Sequence, residues 1–197
     1  MIYLIPILSY LIGSIPFGLL IGKWFYKIDV RTVGSGNIGA TNVARTCSKL
    51  AGLLTFLLDF YKGIVVLIFT RIYFYPSHKL ELLICLAAIF GHSFSIFLKF
   101  KGGKSVAISF ACLVILYPAI AVNIALFWGI IMGIFATVGL ASTVTATLLL
   151  FSSFQVLLLS KDITTFAFLA LVSALIIFKH LPNIKDIRAK LSPSNAK

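Results

Sequence analysis

The chain has 197 residues, 60% of them apolar and only 11% charged, where a soluble domain carries about 25% charge. Its mean hydropathy is +1.10. These values exclude an ordinary soluble domain. The net charge of +12 does not point to nucleic acid, because the basic residues flank apolar segments and so read chiefly as orientation signals. A smaller share is left for anionic substrates.

Met1 to Tyr10 carries no Lys or Arg ahead of its apolar stretch, so a permanent first span is expected there rather than a cleaved leader. About 20 apolar residues cross a bilayer core as helix. On that rule span one covers about 2–22. A polar stretch from Lys23 to Lys49 follows, then span two at about 50–73. A break at Tyr75–Lys79 precedes span three at about 80–98, and Lys99–Lys104 closes it. Residues 105–160 hold no Asp, Glu, Lys, Arg or His, and those 56 residues would extend about 84 Å as helix. Three crossings fit, at about 105–120, 124–139 and 143–159, with turns near Pro118–Asn123 and Gly139–Thr143. Span seven covers about 163–179, and a basic tail runs from Lys179 to Lys197.

The expectation is therefore one all-α domain over 1–197, a polytopic membrane bundle of seven transmembrane helices. Seven spans put Lys23, Lys27, Arg31, Arg45, Lys49, Lys99, Lys101, Lys104, Lys179, Lys185, Arg188, Lys190 and Lys197 on one side, 13 of the 17 basic residues. By the positive-inside rule that side is cytoplasmic, with the N-terminus outside and the C-terminus in the cytoplasm. Six spans would split the basic loops.

Gly34-Ser35-Gly36-Asn37-Ile38-Gly39-Ala40-Thr41-Asn42, with Arg45, contains a literal G-x-G-x-x-G. Asp59 lies 20 residues beyond Gly39, but a dinucleotide site needs a soluble βαβ unit and the following segment here is a membrane span. The chemistry that remains is anion binding. Glycines allow close backbone approach, Ser35, Asn37, Thr41 and Asn42 offer hydrogen bonds, and Arg45 can grip phosphate with two N–H groups. Lys101-Gly102-Gly103-Lys104-Ser105 looks like the end of a P-loop, but Leu98 stands where that loop needs glycine. As a turn entering a helix it is still expected to cradle an anion with free N–H groups. His180, followed by Asn183, has a side chain suited to proton transfer near neutrality. Asp59 and Lys62, three apart, share a helix face within span two, as an ion pair or as the wall of a polar pocket. The cysteines Cys47, Cys85 and Cys112 and the histidines show no metal-ligand spacing, so no metal and no cofactor is expected. No His is followed five positions later by Asp, since Leu83, Phe97 and Lys185 occupy those places.

In order along nearly the whole chain, these motifs resemble the bacterial acyl-phosphate:glycerol-3-phosphate acyltransferases. The resemblance rests on Gly34–Val43 with Arg45, Asp59-Phe60-Tyr61-Lys62-Gly63, Gly91-His92, Phe100–Lys104, His180 with Asn183, and Gly13–Gly18. It implies transfer of an acyl chain from acyl phosphate to the 1-hydroxyl of glycerol 3-phosphate, giving lysophosphatidate and phosphate. It further implies a bacterial cytoplasmic (inner) membrane enzyme working at the cytoplasmic face among membrane lipids, without nucleic acid. A soluble enzyme that makes the acyl phosphate could dock to it. Ser35, Arg45, Lys104, His180 and Asn183 would be catalytic. Gly36, Asn37, Thr41, Asn42, Gly102, Gly103 and Ser142 would hold substrate phosphate. The chain departs from the family at Ser105, where Gly is common, and at Gly139, where Ser is common. The competing reading is a small membrane transporter for an anionic solute, which would need polar groups near the midplane; spans four to six carry no Asp, Glu, Lys, Arg or His.

Overall fold

The computed structural model describes residues 2–191, with side chains described for all of them except Tyr3 and 183–191. Nine α-helices and no strands occur among the described residues. The chain divides into two units, Met1–Ala121 and Val122–Lys197.

In the first unit, α1 (Ile5–Ser14) and α2 (Phe17–Tyr26) are the two parts of one apolar span. The break between them follows from Pro16, which disfavours helix in the residue before it; Ile15 is extended, with ψ 119°. The short α3 (Ala40–Thr46) leads to α4 (Lys49–Phe74), whose N-cap Ser48 accepts the Ala51 N–H at 3.1 Å. Tyr75 turns left-handed ahead of Pro76 and ends α4. α5 (His78–Ser93) follows, then a short 3₁₀ turn at Ile96–Leu98 and α6 (Val106–Leu116).

α1 and α5 pack backbone to backbone. A Cβ on Gly13 would overlap the Ala88 carbonyl, and one on Gly91 would overlap that of Tyr10. Lipid tails supply no hydrophobic drive between helices, so close packing and hydrogen bonds hold such pairs. Ser9 Oγ donates to the Ile84 carbonyl at 2.8 Å and Tyr10 Oη to that of Phe94 at 2.7 Å. Just beyond the two helices, Ser95 Oγ donates to the Ser14 carbonyl at 2.6 Å.

The second unit takes in most of α7 (Pro118–Phe135), with α8 (Val138–Ser160) and α9 (Ile163–Leu191). α8 packs on α9. By length and composition six helical segments can cross a membrane: Ile5–Tyr26, Lys49–Phe74, His78–Leu98, Pro118–Phe135, Val138–Ser160 and Ile163–Pro182.

Spans one, two, three and seven match these helices closely. The middle region differs. α6 has 11 residues, a rise of about 16 Å against a core of about 30 Å. The turn expected at Pro118–Asn123 shrinks to Tyr117, because proline suits the first position of a helix, and α7 starts there. The turn expected at Gly139–Thr143 lies instead at Ala136-Thr137, where Ala136 is left-handed. Gly139–Thr143 forms the opening of α8. The helix containing His180 also runs on through Pro182, so His180 lies within it rather than in a tail.

Candidate active site

The loop between α2 and α4 is built around Asn42, which is 2% exposed. Its Oδ1 accepts the Ser35 N–H at 2.8 Å. Its Nδ2 donates to the carbonyls of Val30 at 2.8 Å, Asn37 at 2.9 Å and Val33 at 3.2 Å. One side chain thus satisfies four backbone groups of an irregular segment. The glycine spacing serves this wrap. Gly34 and Gly36 have φ of 62° and 68°, a region glycine enters without steric cost, and a Cβ on Gly34 would strike Asn42 Oδ1. Asn37 Oδ1 accepts the Gly39 N–H at 2.8 Å just ahead of α3. Asn42 therefore spends its amide inside the loop, whereas the sequence suggested a donor to substrate. Of the loop residues expected to meet substrate, Ser35, Gly36, Thr41 and Arg45 are exposed. Thr41 and Arg45, four apart on α3, lie on one face.

At the loop's entry, Arg31 grips Asp29 with both N–H edges, Nε to Oδ1 at 2.9 Å and Nη2 to Oδ2 at 2.6 Å. Lys23 Nζ stands 3.4 Å from the same Oδ2. The Arg31 bond holds the Asp29 carboxyl well below the usual carboxylate range.

The second loop, Lys99–Ser105, is anchored to the end of α5. The Gly103 N–H donates to the His92 carbonyl at 2.9 Å and the Gly102 N–H to that of Ser93 at 3.1 Å. These two N–H groups were expected to be free for an anion; they are taken up in holding the loop. Ser105 is buried with φ 60°, a left-handed turn that glycine would enter without steric cost. Its hydroxyl bonds that of Ser93 and donates to the Ile89 carbonyl at 3.0 Å. Lys104, half-buried, sits between these two anchored residues.

A shared apolar cluster joins the bases of the two loops. It contains Leu19 and Ile21 of α2, Val30 and Ile38 of the first loop, Val43 of α3, Ala51 of α4, and Leu98 just before the second loop. Both glycine-rich loops therefore sit at one end of the first unit.

Within α4, Lys62 Nζ lies 2.8 Å from Asp59 Oδ1, and both residues are buried. The ammonium also donates to the Ile15 carbonyl at 2.7 Å, at the break between α1 and α2, and lies 5.6 Å from the centre of the Phe17 ring. Of the two readings of this pair, the ion pair is realised. His92 Nδ1 stands 3.7 Å from Asp59 Oδ1.

In the second unit, Ser142 is buried and its Oγ accepts the Trp128 indole N–H at 3.2 Å. His180 is buried, with Nδ1 2.8 Å from the Ile176 carbonyl. A carbonyl only accepts, so Nδ1 carries the hydrogen and a neutral ring keeps its lone pair on Nε2. The Asn183 side chain lies outside the described residues. No group of His, Cys, Asp or Glu suited to a metal ion occurs among the described residues.

The family model described as glycerol-3-phosphate acyltransferase matches residues 3–190. The chain belongs to that family. The glycerol-3-phosphate acyltransferase of Wolbachia pipientis subsp. Culex pipiens (strain wPip) is 41% identical over 186 residues, covering 94% of each chain. That of Streptococcus pneumoniae (strain CGSP14) is 40% identical over 190 residues, 93% of this chain and 88% of its own. The crystal structure of PlsY (YgiH), an integral membrane glycerol 3-phosphate acyltransferase, in its glycerol 3-phosphate form aligns with a TM-score of 0.84 at 32% identity. It covers 96% of this chain and 92% of that one. The lysophosphatidic acid form of PlsY aligns with a TM-score of 0.79. This family member is an integral membrane protein that spans the bilayer several times, helical without strands among its described residues.

The sequence motifs contain His92, Asp59 and Lys62 but do not show that the three side chains meet. The signal was present: two charges inside a span, and a histidine ending the span before the second glycine loop.

Proposed function

We propose that this protein transfers an acyl chain from acyl phosphate to the sn-1 hydroxyl of glycerol 3-phosphate, releasing 1-acyl-glycerol 3-phosphate and inorganic phosphate. Family membership supports the acceptor. The observation that carries the reading is the union of the Ser35–Arg45 loop and the Lys99–Ser105 loop on one apolar cluster. Exposed Arg45 and half-buried Lys104 thereby belong to the same end of the first unit. Both substrates carry phosphate, and cationic donors are the side chains that bind it most strongly.

The hydroxyl oxygen attacks the acyl carbonyl carbon, and charge develops on the carbonyl oxygen. The bond from that carbon to the phosphate oxygen then breaks, and phosphate leaves with its electron pair. Acyl phosphate is a mixed anhydride, so no acyl-enzyme is required. The protein's task is to orient the hydroxyl and neutralise charge. Arg45 and Lys104 hold phosphate, and Ser35, Gly36, Asn37 and Thr41 support it. Ser35 ligates rather than attacks, because it has no assigned base. The glycines Gly102 and Gly103 contribute close backbone packing, and Asn42 contributes the shape of the first loop. Ser142 and Asn183 are assigned by family resemblance, with Asn183 toward the oxyanion. The hydroxyl proton goes either to His180 Nε2 or to a phosphate oxygen of a substrate.

The same proposal places one domain in the bacterial cytoplasmic membrane with seven crossings, the six long helices and a fourth crossing in chain order made by the short α6 with its flanking residues, the N-terminus outside and both glycine loops in the cytoplasm. A soluble acyl-phosphate-producing enzyme would deliver the donor from that side. Cysteine labelling from either side of intact cells, at Lys27→Cys and Lys79→Cys, reads this orientation; labelling of position 27 from outside would overturn it.

The activity test uses purified protein in detergent with glycerol 3-phosphate, comparing acyl phosphate with acyl-CoA while following phosphate release. Lysophosphatidate formed from acyl phosphate alone is the expected result. Arg45→Ala and Lys104→Ala should each lower kcat/KM by roughly 10- to 100-fold, as loss of a charged hydrogen bond does. Full turnover in both variants would overturn the assignment. His180→Ala separates the two bases, since a substrate-held base would leave kcat nearly unchanged.

A further inference from the structure

We propose that Asp59 is a positioning residue for the glycerol 3-phosphate site, acting through the His92 ring on Gly103 and thereby on Lys104. The proposal rests on the phosphate-binding part given to Lys104 above.

Asp59 and Lys62 lie on the same helix, so their ion pair by itself joins no two elements. Buried pairs of this kind can often be replaced by apolar residues without loss of stability, and charges inside a membrane mark function more often than scaffolding. Each partner reaches further. Lys62 donates to the Ile15 carbonyl at the α1–α2 break. Asp59 Oδ1 faces His92 Nδ1 at 3.7 Å, across to the last turn of α5. That turn presents Lys104. The residue before it, Gly103, donates its N–H to the His92 carbonyl at 2.9 Å, and the residue after it, Ser105, is tied to Ser93 and Ile89.

The His92 ring fills the remaining space. A Cβ on Gly103 would overlap His92 Nε2 and the two ring carbons beside it. The Nδ1 edge thus faces the carboxylate and the Nε2 edge faces the loop backbone. Close-packed groups without slack pass displacements on. A ring turned or shifted by loss of the Asp59 charge moves Gly103, and Lys104 moves with it.

The test measures KM for glycerol 3-phosphate at saturating acyl phosphate, with the full chain in detergent and lipid. Asp59→Asn/Lys62→Met removes both charges together and leaves no unpaired charge in the membrane. A merely structural ion pair predicts wild-type KM in whatever protein folds. Positioning predicts a KM raised about tenfold with kcat within about twofold, since a displaced phosphate ligand acts on substrate binding. His92→Gln, which leaves the ion pair intact, should raise KM in the same way. Adding Gly103→Ala to it should cost less than the product of the two single effects, because both act on one contact. Wild-type KM in folded Asp59→Asn/Lys62→Met or in folded His92→Gln would overturn the proposal. If the double variant does not fold, His92→Gln decides alone. A wild-type protein with no turnover of glycerol 3-phosphate would instead overturn the functional reading, which is a separate outcome.

Discussion

Replacing Asn42 with alanine should open the first glycine loop and leave the helices in place. The side chain accepts one N–H and donates to three carbonyls. The amide has two hydrogens, so the three donations count as two good bonds, one of them shared. Three bonds at about 1 kcal/mol each give roughly 3 kcal/mol of local stability. That corresponds to a roughly 100-fold larger open population of the loop. The loss is local, because the bonds lie within residues 30–42 and the flanking helices α2 and α4 do not depend on them. Limited proteolysis in detergent reads the open population directly. Cleavage between residues 30 and 39 should accelerate by about that factor, while the melting transition of the helical bundle shifts little. KM for glycerol 3-phosphate should rise in parallel. Unchanged cleavage with lost activity would refute the reasoning and return Asn42 to the role of substrate ligand. Unchanged cleavage with unchanged KM would refute any role for it in the site.

Gly34→Ala should give the same accelerated cleavage, since its Cβ meets Asn42 Oδ1 and its φ of 62° costs a non-glycine residue about 1–2 kcal/mol; protection equal to wild type would contradict this. Arg45→Lys keeps the charge but not the paired N–H groups, so KM for glycerol 3-phosphate should rise about tenfold in steady-state assays. Asp29 has its folded pKa lowered by Arg31, so its stabilisation is complete above the ordinary carboxylate range and is lost only as pH falls through that lowered value. Protease protection of residues 27–33 should therefore stay flat from pH 8 to pH 5, and a decline within that window would contradict the ion pair. Ser142→Ala leaves the Trp128 indole N–H without its acceptor and should cost about 1 kcal/mol, seen as a lower melting temperature that Trp128→Phe in the same chain largely restores.

Much of this was legible in the sequence. Apolar runs bounded by basic residues and by Pro76 marked α4 and α5, and the ionisable pair in α4 was visible as a helical neighbour pair. Between 105 and 160 the three helices were legible but their boundaries were not, because uniform apolarity carries no punctuation. The true stops are Tyr117, ahead of a helix-starting proline, and Ala136, a left-handed alanine with nothing in its identity to announce it. The glycine loops were legible as irregular turns, but the partners of the Gly102 and Gly103 N–H groups were not. Nothing local reveals that the end of α5 would accept the bonds of Gly102 and Gly103, since that depends on how the chain folds back over ten residues. Asn42 was read as a ligand for the same reason: its partners lie 5 to 12 residues upstream.

The backbone contact of α1 with α5 bears on how mutations in this protein are to be weighed. Leu8 and Leu11 are half exposed toward the surrounding medium, and there one aliphatic residue can stand for another. Gly13 and Gly91 are equally unremarkable on any hydropathy scale, yet alanine, one methyl larger, meets carbonyl oxygen at both. Tolerance along these two helices is therefore graded by the volume each position can admit, and hydropathy does not report it. A genetic survey would find its most intolerant positions here among the smallest residues.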